Sequence, residues 1–349
     1  MLIKTKDTIF STKICQVQIE ITGICNMNCK HCRNSFDKSP DMPLSEIDKI
    51  LKFAIKNGNE QLEVVLSGGE PFLHKNFNEI LVLLKKHKIK NLYITTNGSQ
   101  SITPYLQQLK KFKTMISVSI DSIVENEHDL FRNFKGAFKK ALETIKYLYD
   151  NEVFVGVRTS LLPENIDKIG EIADFVYQLG VKRLAISSVL PIGSALNDEN
   201  MLMTQNEKRK FLETLFAIRE KYYPEMKVTT NDPLHNLCQK DGCCDEFTSS
   251  DGVHTINGCT GGVTQFNVFA NGDLTPCAIF NMPILNVFKT EYKDIEKIYV
   301  RNEVVKNLVS RAFSGKCGKC PMKFTCGGCR ARAKNTYGDY LATDPDCWI

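Results

Sequence analysis

The sequence predicts an α/β protein: an open, six-unit (β/α)6 partial barrel followed by a short cysteine-rich region. Three observations carry this. Strand and helix patterns alternate strictly from about residue 16 to 222, regular periods stop over 223–258, and every cysteine after Cys32 falls beyond residue 237. Strands are expected at 17–21, 62–66, 92–95, 115–120, 153–157 and 184–187. Helices are expected at 44–55, 77–84, 104–109, 137–149, 166–179 and 207–221. Ser45 is the expected N-cap of the first helix, and Gly180 the expected stop of the fifth.

Strict alternation implies parallel strands with right-handed crossovers. Six units fall short of the eight that close a barrel, so the sheet stays open. Chemistry in such sheets gathers at the C-terminal strand ends. That rule puts residues 25–32, 67–71, 96–97 and Asp121 on one face. The expected division is a barrel over 1–222, a linker over 223–258 and a cysteine-rich domain over 259–349. The linker carries Pro224, Pro233 and the pair Cys243-Cys244, and is expected to fold partly around a metal. Beyond it, Asn271-Gly272 between two apolar runs signals a β-hairpin. The C-terminal region is poor in apolar runs and needs staples to be stable.

The 349 residues are 42% hydrophobic, enough for one large core and a smaller module. No apolar run approaches the roughly 18–20 residues of a membrane span, and the N-terminus lacks signal-peptide features, so no membrane partner and a cytoplasmic location are expected. The net charge of +5 is mild, and lysines such as Lys85, Lys86, Lys139 and Lys140 are spread along helices. They read as solvated faces rather than a nucleic-acid surface. Fourteen cysteines are many for a reducing compartment, where disulfides are disfavoured; their clustering points to metal ligation.

Cys25, Cys29 and Cys32 are spaced C-x3-C-x2-C. Three thiolates fill three corners of a four-iron cube and leave one iron open, as a catalytic metal requires. The alternative is a zinc loop with His31 as fourth ligand. The triad, with His31 at the aromatic position of the motif, resembles the radical S-adenosylmethionine (SAM) superfamily. The resemblance implies that the triad's [4Fe-4S] cluster binds SAM through its open iron. One electron then cleaves SAM to a 5′-deoxyadenosyl radical that takes hydrogen from the substrate. Ser67-Gly68-Gly69-Glu70-Pro71 looks like the family's motif for the SAM amino group. Asn97, Ser119 and Asp121 stand where relatives hold the ribose. Arg158 is placed to meet the SAM carboxylate, and Leu190 to border the adenine. The plainer readings are turns or helix caps for Asn97 and Asp121 and an ion pair for Arg158.

Cys259-x12-Gly272-x4-Cys277, then Cys317-x2-Cys320-x5-Cys326-x2-Cys329 and Cys347, resembles the seven-cysteine SPASM domain, with x2 where x3 is common in the last internal spacing. The implied fold is a partial (β/α)6 TIM-like barrel with a C-terminal SPASM domain binding two auxiliary [4Fe-4S] clusters. By position, Cys317, Cys320, Cys326 and Cys347 would hold one. Cys259, Cys277 and Cys329 would hold the other, with an open iron or a fourth ligand from Cys238, Cys243 or Cys244. A zinc ribbon is the alternative. Cys15 reads as a small buried hydrophobe. Arg330 and Arg332 read first as supports of the cluster loop, or else as groups that offset cluster charge or bind substrate carboxylates.

The resemblance implies an oxidoreductase that matures a ribosomally made peptide by thioether formation, carbon–carbon crosslinking or epimerisation. The alternative is oxidation or decarboxylation of tetrapyrrole propionates, to which His128-Asp129-x2-Arg132-x3-Gly136-Ala137-Phe138 and the C-terminal ending also bear a likeness. A low-potential donor such as flavodoxin or ferredoxin is implied. With the triad starting at residue 25, a separate leader-peptide-binding protein or recognition by the barrel itself is expected.

Overall fold

The computed structural model describes residues 1–34, 38–196, 198–238 and 258–349. Two short strands, β1 (Leu2–Lys4) and β2 (Ile9–Ser11), form an antiparallel pair before the barrel. The barrel then runs β3 (Ile14–Thr22), α1 (Leu44–Lys56), β4 (Gly58–Gly68), α2 (Phe77–Lys86), β5 (Asn91–Thr96), α3 (Leu106–Leu109) and β6 (Lys113–Ser119). It continues through α4 (Glu125–Arg132), α5 (Ala137–Asp150), β7 (Phe154–Leu161), α6 (Ile169–Gln178), β8 (Arg183–Ser188) and α7 (Gln205–Tyr222). The C-terminal part holds β9 (Lys227–Thr229), β10 (Gln265–Val268), β11 (Asp273–Thr275), β12 (Leu285–Asn286), α8 (Tyr292–Arg301), α9 (Glu303–Ser310), α10 (Gly315–Lys319) and α11 (Arg330–Tyr337).

Strands β3 to β8 lie in sequence order and pair in parallel, the winding of a partial barrel. The sheet is open, with β12 at one end and β9 at the other. The strands explain the cavity inside. Parallel strands covered on both faces read as continuous apolar runs, but these alternate. In β3, Val17, Ile19 and Ile21 enter the apolar core. Their neighbours face the lumen: Gln16 donates to Glu63 at 2.5 Å and Gln18 to Ser67 at 2.7 Å. The helices supply the outer layer. α1 buries Ile47, Ile50, Leu51 and Ala54, one stripe at helical spacing. Thr204 and Glu207 start α7 as a capping box.

Several details depart from the sequence reading. Ser45 does not cap α1; Pro43 holds that position and no side chain caps the helix. The short strand β9, after residue 222, pairs in parallel with β8 and so extends the barrel sheet into the segment read as a linker. The C-terminal part also joins the sheet, because β10 pairs in parallel with β3 while β10 and β11 form the expected hairpin. Cys15 is only half-buried and accepts from Asn59 at 3.3 Å. Cys243 and Cys244 lie outside the described residues.

A buried ion network locks the two parts together. Arg332 of α11 donates to Asp232 at 2.9 Å and to Asp344 at 2.7 Å. Lys208 of α7 meets the same Asp232 at 2.9 Å and also donates to Ser188. Asp346 stands 3.1 Å from Arg332 and 3.4 Å from Lys208. Removing one member of a buried ion pair leaves its partner uncompensated. Asp232→Ala should therefore cost about 3 kcal/mol, at the low end because Asp344 and Asp346 remain. The check is urea unfolding of the metal-loaded protein, with a lower midpoint at an unchanged slope; an unmoved midpoint would contradict the role.

Candidate active site

The cysteine triad lies in the loop between β3 and α1. That loop folds back onto the end of β4, where Gly69 N–H donates to the Thr22 carbonyl at 2.7 Å and Glu70 N–H to the Ile24 carbonyl at 2.9 Å. Both glycines are required by contact. A Cβ on Gly68, whose φ is +130°, would stand 2.1 Å from the Thr22 oxygen, and one on Gly69 2.1 Å from the Ile24 oxygen. Gly193, after β8, meets the loop from the other side. Its neighbour Ser194 donates to the Cys32 carbonyl at 3.0 Å.

Helix α4, absent from the sequence reading, holds the triad from behind. Lys30 N–H donates to the Phe131 carbonyl at 3.0 Å, and His31 stacks on the Phe131 ring at 4.2 Å and 8°. Arg132 Nη1 stands 3.9 Å from Cys29 Sγ. Its Nε donates to Asp121 at 2.6 Å, and Asp121 accepts a further bond from Ser160 N–H at 2.8 Å. Burial disfavours the charged carboxylate, but Arg132 outweighs it and holds Asp121 down to about 2. Asp121 is thus an anchor for a cation. Burial lowers His31 to about 4, so the ring is neutral, and its Nδ1 has no partner among the described residues. The sequence showed His128 and Arg132 as a motif, but only the fold shows Arg132 beside a triad sulfur.

One cavity at the C-terminal strand ends gathers most of the expected residues. Cys25, Cys29, His31 and Cys32 line it, with Gly68, Gly69, Asn97, Ser119, Arg158 and Leu190. Asn97 donates to Asn26 at 3.1 Å and sits 3.8 Å from Cys25 Sγ, so it also steadies the loop. Burial pulls Arg158 below its ordinary range; of the groups acting on it, Asp121 contributes least and is already held by Arg132. Glu70, Pro71 and Asp121 lie behind the wall. Glu70 is fully buried and accepts from the Thr96 hydroxyl and from Asn97 N–H, each at 2.8 Å, tying the glycine loop to the end of β5. Burial lifts its carboxyl to about 7 despite those bonds. The sequence reading missed Arg33, Asn231 and Asp232 in the wall; Arg332, which it read as a support of the cluster loop or a group for substrate carboxylates, lines the wall as well. Arg33 ties the triad loop to Glu20 at 2.8 Å and to the Ala278 carbonyl at 2.9 Å.

The C-terminal cysteines fall into two sets. Cys277 has Cys259 and Cys329 as electrostatic neighbours. Cys347 has Cys317 and Cys320, and Cys326 has Cys347. The sets touch where Cys259 N–H donates to the Cys326 carbonyl at 3.1 Å. Cys329 reaches the central cavity, so one set shares a wall with the triad. Cys238 is elsewhere; its charged neighbours are Glu213, Arg209 and Asp232.

These sites fit iron–sulfur clusters on their donor chemistry. Burial drives Cys29 up to about 11 and Cys326 and Cys329 up to about 12, so thiolates there need a cationic centre against them. Among the described residues no three ligand-type side chains converge as one ion requires; a four-iron cube instead takes its thiolates on separate corners. Arg132 at Cys29, and Arg330 Nη2 at 3.6 Å from Cys317 Sγ, set cations beside sulfur. For SAM, a glycine-lined wall and the Arg158 guanidinium face one cavity with the triad. Gly69→Ala should displace the triad loop and cut the SAM-responsive part of the reduced electron paramagnetic resonance (EPR) signal at least tenfold. Gly170→Ala, where an added Cβ meets open space, should not. A parent-like signal in Gly69→Ala would contradict this reading of the loop.

Comparison with known proteins agrees with this geometry. Residues 19–176 match the radical SAM superfamily model. An AdoMet-dependent heme synthase of Nitratidesulfovibrio vulgaris is 24% identical over 337 residues, spanning 94% of this chain and 90% of that protein. The subtilosin biosynthesis protein AlbA of Bacillus subtilis is 27% identical over 91% of this chain and 67% of its own length. The crystal structure of Streptococcus suis SuiB bound to S-adenosylmethionine superposes with a TM-score of 0.73 at 18% identity, covering 97% of this chain and 78% of that one, and so shares the fold. With its triad, glycine loop and parallel partial barrel, the chain carries a radical SAM domain over residues 19–176 and is an enzyme.

Proposed function

We propose that the protein oxidatively modifies a ribosomally made peptide, using SAM and three four-iron clusters. The observation that carries this is the shared cavity: the triad and Cys329 both line it, so a bound substrate meets both cysteine regions. In this reading Cys25, Cys29 and Cys32 hold the SAM-binding cluster. Cys317, Cys320, Cys326 and Cys347 hold one auxiliary cluster, and Cys259, Cys277 and Cys329 the other. When bound, the first cluster supplies the electron that breaks a sulfur–carbon bond of SAM and so begins hydrogen abstraction. The protein's own part is placement. Arg158 neutralises the SAM carboxylate, Gly68 and Gly69 admit its amino group, Ser119 and Asn97 face the ribose, and Leu190 closes on the adenine. A one-electron donor of the ferredoxin or flavodoxin class serves the cluster.

The wall chemistry favours a peptide over a tetrapyrrole. Arg33, Arg132 and Arg332 are already neutralised by Glu20, Asp121 and Asp232. With Arg158 given to SAM, Lys38 is the cation of the wall left, among the described residues, for several propionates. Ser160, Ser187, Ser188 and Asn231 instead offer hydrogen bonds of the kind a peptide backbone takes. AlbA is named for bacteriocin biosynthesis, and its likeness supports this reading. The heme-synthase likeness over nearly the whole chain supports the second reading, propionate oxidation or decarboxylation.

Two measurements test the proposal. Anaerobic analysis should give about twelve irons per chain, four for each cluster; about four would refute the auxiliary pair. The loaded, reduced protein with SAM should alter a peptide encoded beside its gene, read as a mass lowered by two hydrogens or as an inverted residue. A tetracarboxylate tetrapyrrole should come back unchanged. The opposite pattern would establish the second reading.

A further inference from the structure

Arg311 occupies a position that the radical SAM reading leaves unexplained. It ends α9 with φ +53°, in the left-handed region where glycine or asparagine is the usual occupant. A non-glycine residue held there carries backbone strain. That side chain is 1% exposed. Nη2 donates to the Cys259 carbonyl at 2.6 Å, but Nε and Nη1 have no partner among the described residues. Buried guanidinium N–H groups are rarely left unpaired.

The surroundings say what is missing. Among the described residues no carboxylate forms an ion pair with Arg311. The side chains beside it that can take an opposite charge are Cys259 and Cys326, one from each cysteine set. Its guanidinium lies against the backbone of Gly327, where a Cβ would stand 3.2 Å from Nη1. A second cation, Arg330, sits nearby over the Phe313 ring at 4.4 Å and opposes it. Two buried cations close together require anions near them. Thiolate-ligated clusters on either side would supply the charge.

We propose that Arg311 is the shared counter-charge of the two auxiliary clusters, its unpaired N–H groups directed at their sulfur atoms, and that it raises both reduction potentials. This rests on the assignment of two auxiliary clusters above. Net charge and hydrogen bonds to sulfur are the levers that set such potentials. One cation at the seam acts on both clusters and keeps their potentials in step.

The test is an EPR-monitored redox titration of the full chain carrying Cys25→Ala, Cys29→Ala and Cys32→Ala, so that only auxiliary signals remain. Adding Arg311→Gln should shift both reduction equilibria at least tenfold toward the oxidised form, about 59 mV each for one electron. Arg311→Lys, which keeps the charge, should shift them less. A shift in neither cluster, or in one alone, with iron content intact, would overturn the proposal. Should Arg311→Gln fail to load, iron restored to the parent level by Arg311→Lys supports the shared charge, and iron lost in that variant too overturns it. Iron near four per unsubstituted chain would instead overturn the auxiliary assignment itself.

Discussion

One guanidinium holds the active site together. Arg332 binds Asp232, which follows β9 at the barrel rim, and Asp344, near the end of the chain. Asp344 in turn accepts from Cys329 N–H at 2.6 Å. The loop that carries Cys329 is therefore tied through charge-assisted bonds to the same rim that closes the cavity. A hydrophobic replacement can match such a network in stability, since desolvating charges is costly. It would not match the direction of the bonds, and direction is what brings Cys329 to the cavity that the triad lines.

The same logic runs through the rest of the site. Burial makes a bare thiolate unfavourable, and a cation stands beside sulfur or its backbone in each cysteine region: Arg132 at Cys29, Arg330 at Cys317, Arg311 at Cys259. Around the cavity, cations are mostly neutralised within the protein, so its wall presents hydroxyls and amides more than net charge. Arg158 and Lys38 are exceptions among the described residues, and Arg158 lines the cavity from β7, in register with Ser119 of β6. Alternating strands make this possible. Their apolar faces bind the helices and their polar faces line the lumen.

Much of this was legible in the sequence because it is local. The period of each helix, the triad spacing and the glycine loop are all carried within a few residues, and the strand-end rule put Cys25, Gly68, Asn97 and Asp121 at one end. What was not legible depends on contacts between distant residues. Asp121 follows a strand as expected, yet its partner Arg132 turns it into an anchor behind the wall. Glu70 belongs to the glycine motif but spends its oxygens on Thr96 and Asn97. The pairing of β10 with β3 spans most of the chain, and no short-range pattern encodes it. α4 has only Phe131 and His128 to mark a buried face among charged residues, too little for a periodic signal.

The central claim is that the triad of Cys25, Cys29 and Cys32 cleaves SAM while the C-terminal cysteines hold metal independently. The most direct measurement is 5′-deoxyadenosine formed by loaded, dithionite-reduced protein, compared with the chain in which all three triad cysteines are alanine. The account predicts product from the parent, none from the variant, and retained iron in the variant at about two-thirds of the parent's content. Product from the variant, or none from the fully loaded parent, would contradict it.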